Sequence, residues 1–277
     1  MRHSAGVFQG SDGLDLYYQS WHPEGPARAA VVIVHGWGEH SARYAHVARY
    51  FSERAYAIFG FDQRGHGHSP GRRGHVEAWA EYRRDLHNFV RATREQQPEL
   101  PVFLFGHSLG GVIALDYLVH HPEGLGGAVL SASAVEPVGV AKPHLVAFGR
   151  VMSHVWSTFT VSLPLEVSAL SRDPEVVQSA RTDPLMHHRG SVRWGTEVLE
   201  AIAWVKAHAS EVGIPTLFLH GEVDQLSLAT GTRCLFDAVT HADKTLRIHP
   251  GMYHELHNDV GREHVLGHIE DWLGRRT

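Results

Sequence analysis

The chain carries a single cysteine, Cys234, among its 277 residues. One thiol cannot close an internal disulfide, which excludes the stapled scaffold of small secreted proteins and fits a reducing compartment. Long hydrophobic runs are missing too: no stretch approaches the roughly 18 apolar residues of a membrane span. The opening MRHSAGVFQGSDG lacks an apolar h-region, so no secretory leader is expected. The expected location is cytoplasmic, at most peripheral to a membrane. Positive charge is also scarce. Against 30 Asp and Glu stand 25 Lys and Arg, a net charge of −5, whereas a nucleic-acid binder carries a basic excess. No nucleic-acid partner is expected.

What remains is an ordinary soluble composition, 43% hydrophobic and 20% charged, with 24 histidines as its one excess. The length suits one large domain, or a core domain with an insertion. Short apolar runs (AAVVIVHG, AIFGFD, VFLFGHS, GGAVLSAS and IPTLFLHG) read as buried strands. Continuous Val/Ile/Leu/Phe runs of this kind suit a parallel sheet covered on both faces. Between them lie helix-like stretches such as RYAHVARYFSERA and EAWAEYRRDLHNFVRATREQ. The alternation predicts right-handed crossovers and a mostly parallel, doubly wound α/β sheet. VFQGSDGLDLYYQSW reads as an antiparallel hairpin at its edge.

The rhythm breaks between about Ala134 and Ser210. Leu145, Phe148, Met152, Val155 and Phe159 recur there at spacings of three and four, a helical stripe. The division expected is core over 1–133, an inserted helical cap over 134–209, and core again over 210–277.

Two stretches, GHSPG from Gly67 and GHSLG from Gly106, fit the Gly-x-Ser-x-Gly elbow of a nucleophilic serine. An elbow needs a strand before it and a helix behind it. Ser108 has both, with VFLF ahead and GGVIALDYLVHH after. Ser69 fails at one atom. The residue after the nucleophile donates its backbone N–H to the oxyanion, and here it is Pro70, which has none.

In this architecture an acid and then a histidine follow the serine, each on a loop at the carboxyl edge of the sheet. Asp224, just beyond TLFLHG, is the first choice of acid and Glu222 the second. Asp62 breaks the chain order, and Asp237 and Asp243 sit in or after a helix. HPGMYHELHND follows the last strand and offers His254 as base, with His257 its competitor. The strand–glycine turn HGWG supplies a second oxyanion donor, the Trp37 amide, beside that of Leu109. Such a set performs acyl transfer: Ser108 attacks an ester, His254 takes its proton, and Asp224 holds the imidazole tautomer. His120-His121 and His187-His188 lack zinc spacing. No metal and no cofactor are expected.

HGWGEHSARY, FDQRGHGHSPGRRGHV, FGHSLGG, SRDPEVV with TDPLMHH, LHGEVDQL and DKTLRIHPGMYHELHND occur in that order from about residue 35 to 260. Together they resemble the monoacylglycerol lipases of the α/β-hydrolase fold, within the lysophospholipase-like and serine-aminopeptidase-like group. The resemblance implies Ser108, Asp224 and His254 as triad and the Trp37 and Leu109 amides as oxyanion hole. It further implies Glu39, Arg43 and His257 near the glycerol end of the pocket, although the helical spacing of Glu39 and Arg43 also allows them to pair with each other. Some relatives carry a cysteine where this chain has Ser227, so no thiol role is transferred. Under the resemblance the cap stripe, with Phe148, Met152 and Phe159, lines an acyl tunnel, and a second apolar edge, counting Val146, Trp156 and Leu163, offers an outer surface for transient contact with membrane or micelle; the alternative is that the stripe simply packs on the core.

The expected substrate is a monoacylglycerol or similar single-chain lipid ester. The alternatives are a general carboxylesterase, thioesterase or lysophospholipase with the same triad, and, more remotely, a non-catalytic binder on the same fold. HGWGEH in place of HGGPG speaks against a proline iminopeptidase, and serine at 108 against the aspartate-nucleophile enzymes of this fold. Acyl length, positional preference and oligomeric state are not encoded in any motif.

Overall fold

The computed structural model describes residues 1–121, 123–139, 143–163 and 165–277. The strands are β1 (Arg2–Gln9), β2 (Asp15–His22), β3 (Ala29–Val34), β4 (Tyr56–Phe61), β5 (Val102–His107), β6 (Leu125–Ser131), β7 (Thr160–Ser162), β8 (Arg189–Ser191), β9 (Thr216–Gly221) and β10 (Lys244–His249). The helices are α1 (Ala45–Ser52), α2 (Ala80–Gln96), α3 (Leu109–His120), α4 (Pro143–Val155), α5 (Pro174–Thr182), α6 (Val192–Ala207), α7 (Ala229–Ala238) and α8 (Arg262–Gly274).

Eight strands form one sheet in the order β1-β2-β4-β3-β5-β6-β9-β10. The expected hairpin is there, longer than its apolar pattern: β1 pairs antiparallel with β2 over its whole length, from Arg2↔His22 to Gln9↔Asp15. β2 is also antiparallel to β4, and the remaining pairs are parallel. The continuous apolar runs follow from burial on both faces. In β3, Ala30, Val32 and Val34 face Leu86 and Phe89 of α2, Val112 of α3 and Leu235 of α7. Ala29, Val31 and Ile33 face Phe51 of α1 and Leu266, Ile269 and Trp272 of α8. Each fully buried aliphatic or aromatic side chain contributes about 1.5–3 kcal/mol.

This is the mostly parallel, two-sided sheet of an α/β-hydrolase. The chain reverses its direction of travel across the sheet at β3, whose neighbours are β4 on one side and β5 on the other. Crevices at such a switch point open at the carboxyl ends of the strands. Val34, the last residue of β3, is in register with Gly106 near the end of β5. The loop after β3 and the turn after β5 are therefore side by side.

Between β6 and β9 the chain leaves the sheet and forms α4, β7, α5, β8 and α6. A ribbon the sequence pattern did not show joins β7 antiparallel to β8. Three-residue strands are too short to carry a readable alternation. The cap stripe also turns out differently from a tunnel lining. On α4, Gly149, Met152 and Ser153 turn inward, where the helix packs on α6. Phe148 is 62% exposed, Val155 77% and Phe159 39%, so those members face solvent; the Leu145 side chain lies outside the described residues.

Candidate active site

Ser108 sits between β5 and α3 with φ 52° and ψ −117°. A non-glycine residue in that region costs about 1–3 kcal/mol and persists only where its surroundings enforce it. Here the glycines on either side allow the close approach that does so. A Cβ at Gly106 would lie 2.6 Å from the Gly110 carbonyl, and one at Gly110 would lie 2.0 Å from that of Val34. The Ser108 amide donates to the Ser131 carbonyl at 3.0 Å, and the side chain stays half-exposed at the end of the sheet.

His254, on the loop after β10, accepts from Ser108 Oγ at Nε2 over 2.9 Å. Its Nδ1–H donates to Asp224 Oδ2 at 2.7 Å. The carboxylate fixes the tautomer: an acceptor facing Nδ1 requires the hydrogen there, leaving Nε2 free to take a proton. The other oxygen, Oδ1, accepts from the Leu226 and Ser227 amides at 2.8 and 3.1 Å. Burial disfavours the charge on Asp224, but His254 and His220 together hold its carboxyl well below the usual range. Burial likewise opposes a charged His254, yet Asp224 outweighs it and raises the imidazole above its ordinary value. The neighbouring His107 is pushed down to about 4 by burial and by His254, and so stays neutral.

The loop after β3 lies against the serine. A Cβ on Gly36 would be 3.2 Å from Ser108 Cβ, and Trp37 follows directly. Leu109 is the first residue of α3, where helical N–H groups have no partner within the helix. Among the described residues, the Trp37 and Leu109 amides donate to no protein acceptor. The Trp37 ring stacks on Trp194 of α6, with centroids 5.4 Å apart at 27°, so the cap holds this loop from above.

The rival residues have other employment. Ser69 is buried; its Oγ accepts from the Tyr17 amide and donates to the Asp62 carbonyl. Asp62 binds Ser41 and the His68 amide. Glu222 is exposed and accepts from the Gly251 amide. Ser227 Oγ donates to the Ser133 carbonyl, and Cys234 is exposed on α7. Among the described residues no group of three or more His, Cys, Asp or Glu could hold a metal ion.

Glu39 and Arg43 brace the loop instead of presenting themselves to a ligand. Glu39 Oε1 accepts from its own loop at the Gly36 amide (2.6 Å) and from Tyr44 OH (2.9 Å). Arg43 joins Glu39 Oε2 at 2.8 Å and Glu255 at 2.6 and 2.8 Å. Burial opposes the Glu255 charge, and Arg43 overcomes it, drawing the carboxyl well down. Glu255 follows His254 directly, so this buried pair ties the loop after β3 to the loop after β10. Sequence reasoning missed Glu255; the only signal was an acid next to the candidate base. His257 is fully buried, stacked on Tyr44 at 4.6 Å, with both ring nitrogens unpartnered among the described residues. It stands behind the triad, within the core, and not at the mouth of a pocket.

Residues 25–261 match the family described as serine aminopeptidase, S33. The chain is 34% identical over 267 residues to a monoacylglycerol lipase of Mycolicibacterium smegmatis, covering 96% of this chain and 95% of the relative. It is 33% identical over 275 residues to the monoglyceride lipase of Homo sapiens, covering 96% and 89%. The crystal structure of a monoacylglycerol lipase from Paleococcus ferrophilus superposes with a TM-score of 0.86 at 32% identity, over 95% of this chain and 99% of that one. With this fold, this elbow and a family match across most of its length, the chain belongs to the serine aminopeptidase family of α/β-hydrolases and is a serine hydrolase.

Proposed function

We propose that the protein hydrolyses monoacylglycerols, or a closely similar single-chain lipid ester, with Ser108 as nucleophile, His254 as base and acid, and Asp224 as its orienting partner. The observation that carries the reading is the unbroken line from Ser108 Oγ through His254 to Asp224, at 2.9 and 2.7 Å, beside two unengaged amides. Ser108 Oγ attacks the ester carbonyl and its proton passes to His254 Nε2. The Trp37 and Leu109 N–H groups receive the oxyanion, a contribution whose loss costs about 10²–10³ in turnover per donor. The alcohol departs with the proton from His254, leaving an acyl-Ser108 ester. Water then enters, gives a proton to His254, and releases the fatty acid while Ser108 recovers its hydrogen.

The lipid part of the reading rests on the named activities of the relatives and on the cap. Val151 and Trp156 are exposed beside Phe148 and Val155, and the Trp156 ring meets that of Phe159 at 5.1 Å. An exposed apolar face of this kind marks an interaction surface, and a lipid surface is the occupant that supplies this substrate. No helix of the described residues is long and apolar enough to cross a membrane, so the contact proposed is peripheral and made through the cap. The test compares kcat/KM on a monoacylglycerol, a short p-nitrophenyl ester and lysophosphatidylcholine. Preference for the monoacylglycerol supports the reading. Preference for the short ester makes the protein a general carboxylesterase, and preference for the third a lysophospholipase.

A further inference from the structure

His220, the fifth residue of β9, is fully buried on the face of the sheet that α7 covers. Its Nε2 lies 2.8 Å from the Ser227 carbonyl and 3.0 Å from Asp224 Oδ2. Both neighbours are acceptors, so the hydrogen of the neutral ring must sit on Nε2. Nδ1 is then an acceptor, and Thr232 Oγ1, 2.7 Å away on α7, donates to it. The tautomer is thus fixed from both sides. One consequence is that Asp224 Oδ2 lies close to two imidazole N–H groups, that of His254 at 2.7 Å and that of His220 at 3.0 Å, the second shared with the Ser227 carbonyl. With two backbone amides on Oδ1, four donors surround the carboxylate, three of them bonded to it alone and the fourth shared.

We propose that His220 is a positioning residue of the active site, its Nε2–H fixing the carboxylate that orients His254, with Thr232 holding His220 in the donating tautomer. The inference rests on the reading of Ser108, His254 and Asp224 as the triad. Two effects follow from the geometry. A carboxylate with a donor on each side cannot rotate out of line with His254 Nδ1. A carboxylate whose charge is shared with a second donor also competes less strongly for the proton that His254 must pass to the leaving alcohol. No covalent change takes place at His220.

The test uses the full-length protein with His220→Leu, His220→Gln and Thr232→Val. Each is assayed for kcat and KM on a soluble ester across pH, with thermal unfolding as the control for folding. Removing the hydrogen-bonded partner that orients a metal-ligating side chain costs about 10–100-fold, and a loss of comparable size in kcat, with KM little changed, is expected in His220→Leu. The pH profile separates positioning from a merely structural role. With one donor gone, Asp224 presents more charge to His254, and the acid limb of kcat moves to higher pH. The other groups facing His254 stay in place in all three variants: Glu255 on its own loop, Glu39 after β3 and His107 at the end of β5. Glutamine places an N–H donor near the position of Nε2, so His220→Gln recovers most of the rate and returns the limb toward its original place. Thr232→Val shifts both in the direction of the leucine variant.

A folded His220→Leu with kcat within about twofold of the parent and an unmoved acid limb overturns the proposal. If that variant does not fold, an unmoved limb in Thr232→Val overturns it equally. Labelling by a fluorophosphonate is run alongside. A parent protein that takes no label at Ser108 removes the triad reading and this inference with it, whereas normal labelling with no effect of the variants removes this inference alone.

Discussion

Trp194 on the cap and Trp37 in the oxyanion loop stack face to face, 5.4 Å apart. The contact continues through the backbone, where the His187 amide donates to the Gly38 carbonyl at 2.9 Å. The inserted segment thereby supports the loop after β3. Trp194→Ala is expected to cost about 3–5 kcal/mol of stability, as large-to-small changes at buried aromatics do. It should lower kcat more than it raises KM, because an oxyanion donor acts mainly on the transition state. Denaturant unfolding and steady-state kinetics on one sample check both, and Trp194→Phe should keep most of each.

The pH dependence follows from His254. The base must be neutral to accept the Ser108 proton, and Asp224 lifts its pKa above the ordinary imidazole value of 6.5. Activity therefore falls as pH drops through that raised pKa, and the acid limb of kcat/KM lies above 6.5. In Asp224→Asn the limb moves to lower pH and turnover collapses, by about 10⁴ in the protease where the same change has been made. A pH–rate profile of the two proteins checks the sign.

Arg43 sits between two buried carboxylates, Glu39 and Glu255. Arg43→Met leaves both without a counter-charge, and breaking a buried pair from one side costs about 3–5 kcal/mol. A fall in thermal stability of that order is expected, together with slower turnover, since the two loops it joins carry an oxyanion donor and the base. Thermal unfolding and an activity assay on the folded fraction measure the two effects separately.

The outer apolar face of the cap predicts binding to lipid. Val151→Ser with Trp156→Ser, both on that face and exposed, should abolish co-sedimentation with phosphatidylcholine vesicles. Hydrolysis of a short soluble ester should be unchanged.

The sheet and the elbow were legible because they depend on local pattern. Runs such as AAVVIVHG are apolar throughout when a strand is covered on both faces, and Pro70 disqualifies Ser69 by chemistry that needs no structure. His254 over His257 was a matter of position on the loop, and the structure separates them by a hydrogen bond to Ser108 at 2.9 Å against full burial on Tyr44. Glu255 and His220 were not legible as site residues. Glu255 matters through a contact with Arg43 at a sequence distance of 212 residues, and His220 through a turn that brings Asp224, four residues on, back against its ring. The cap misled in one respect. The three-and-four spacing of Leu145, Phe148, Met152, Val155 and Phe159 gave a helix correctly only as far as Val155, where α4 ends, and periodicity alone does not tell which side of a helix meets the core; Phe148 and Val155 face solvent.

The central claim is that Ser108, and not Ser69, is the nucleophile. Ser69→Ala removes a buried hydroxyl that bridges Tyr17 and Asp62; it should cost about 1–3 kcal/mol of stability and leave the chemistry standing. The most direct measurement is labelling of the native protein with a fluorophosphonate, followed by identification of the modified peptide, for the parent, Ser69→Ala and Ser108→Ala. The account predicts label on Ser108 in the first two and none in the third, with turnover in Ser108→Ala down by about 10⁶, as in a related hydrolase. Label that persists in Ser108→Ala, or that is found on Ser69, contradicts it.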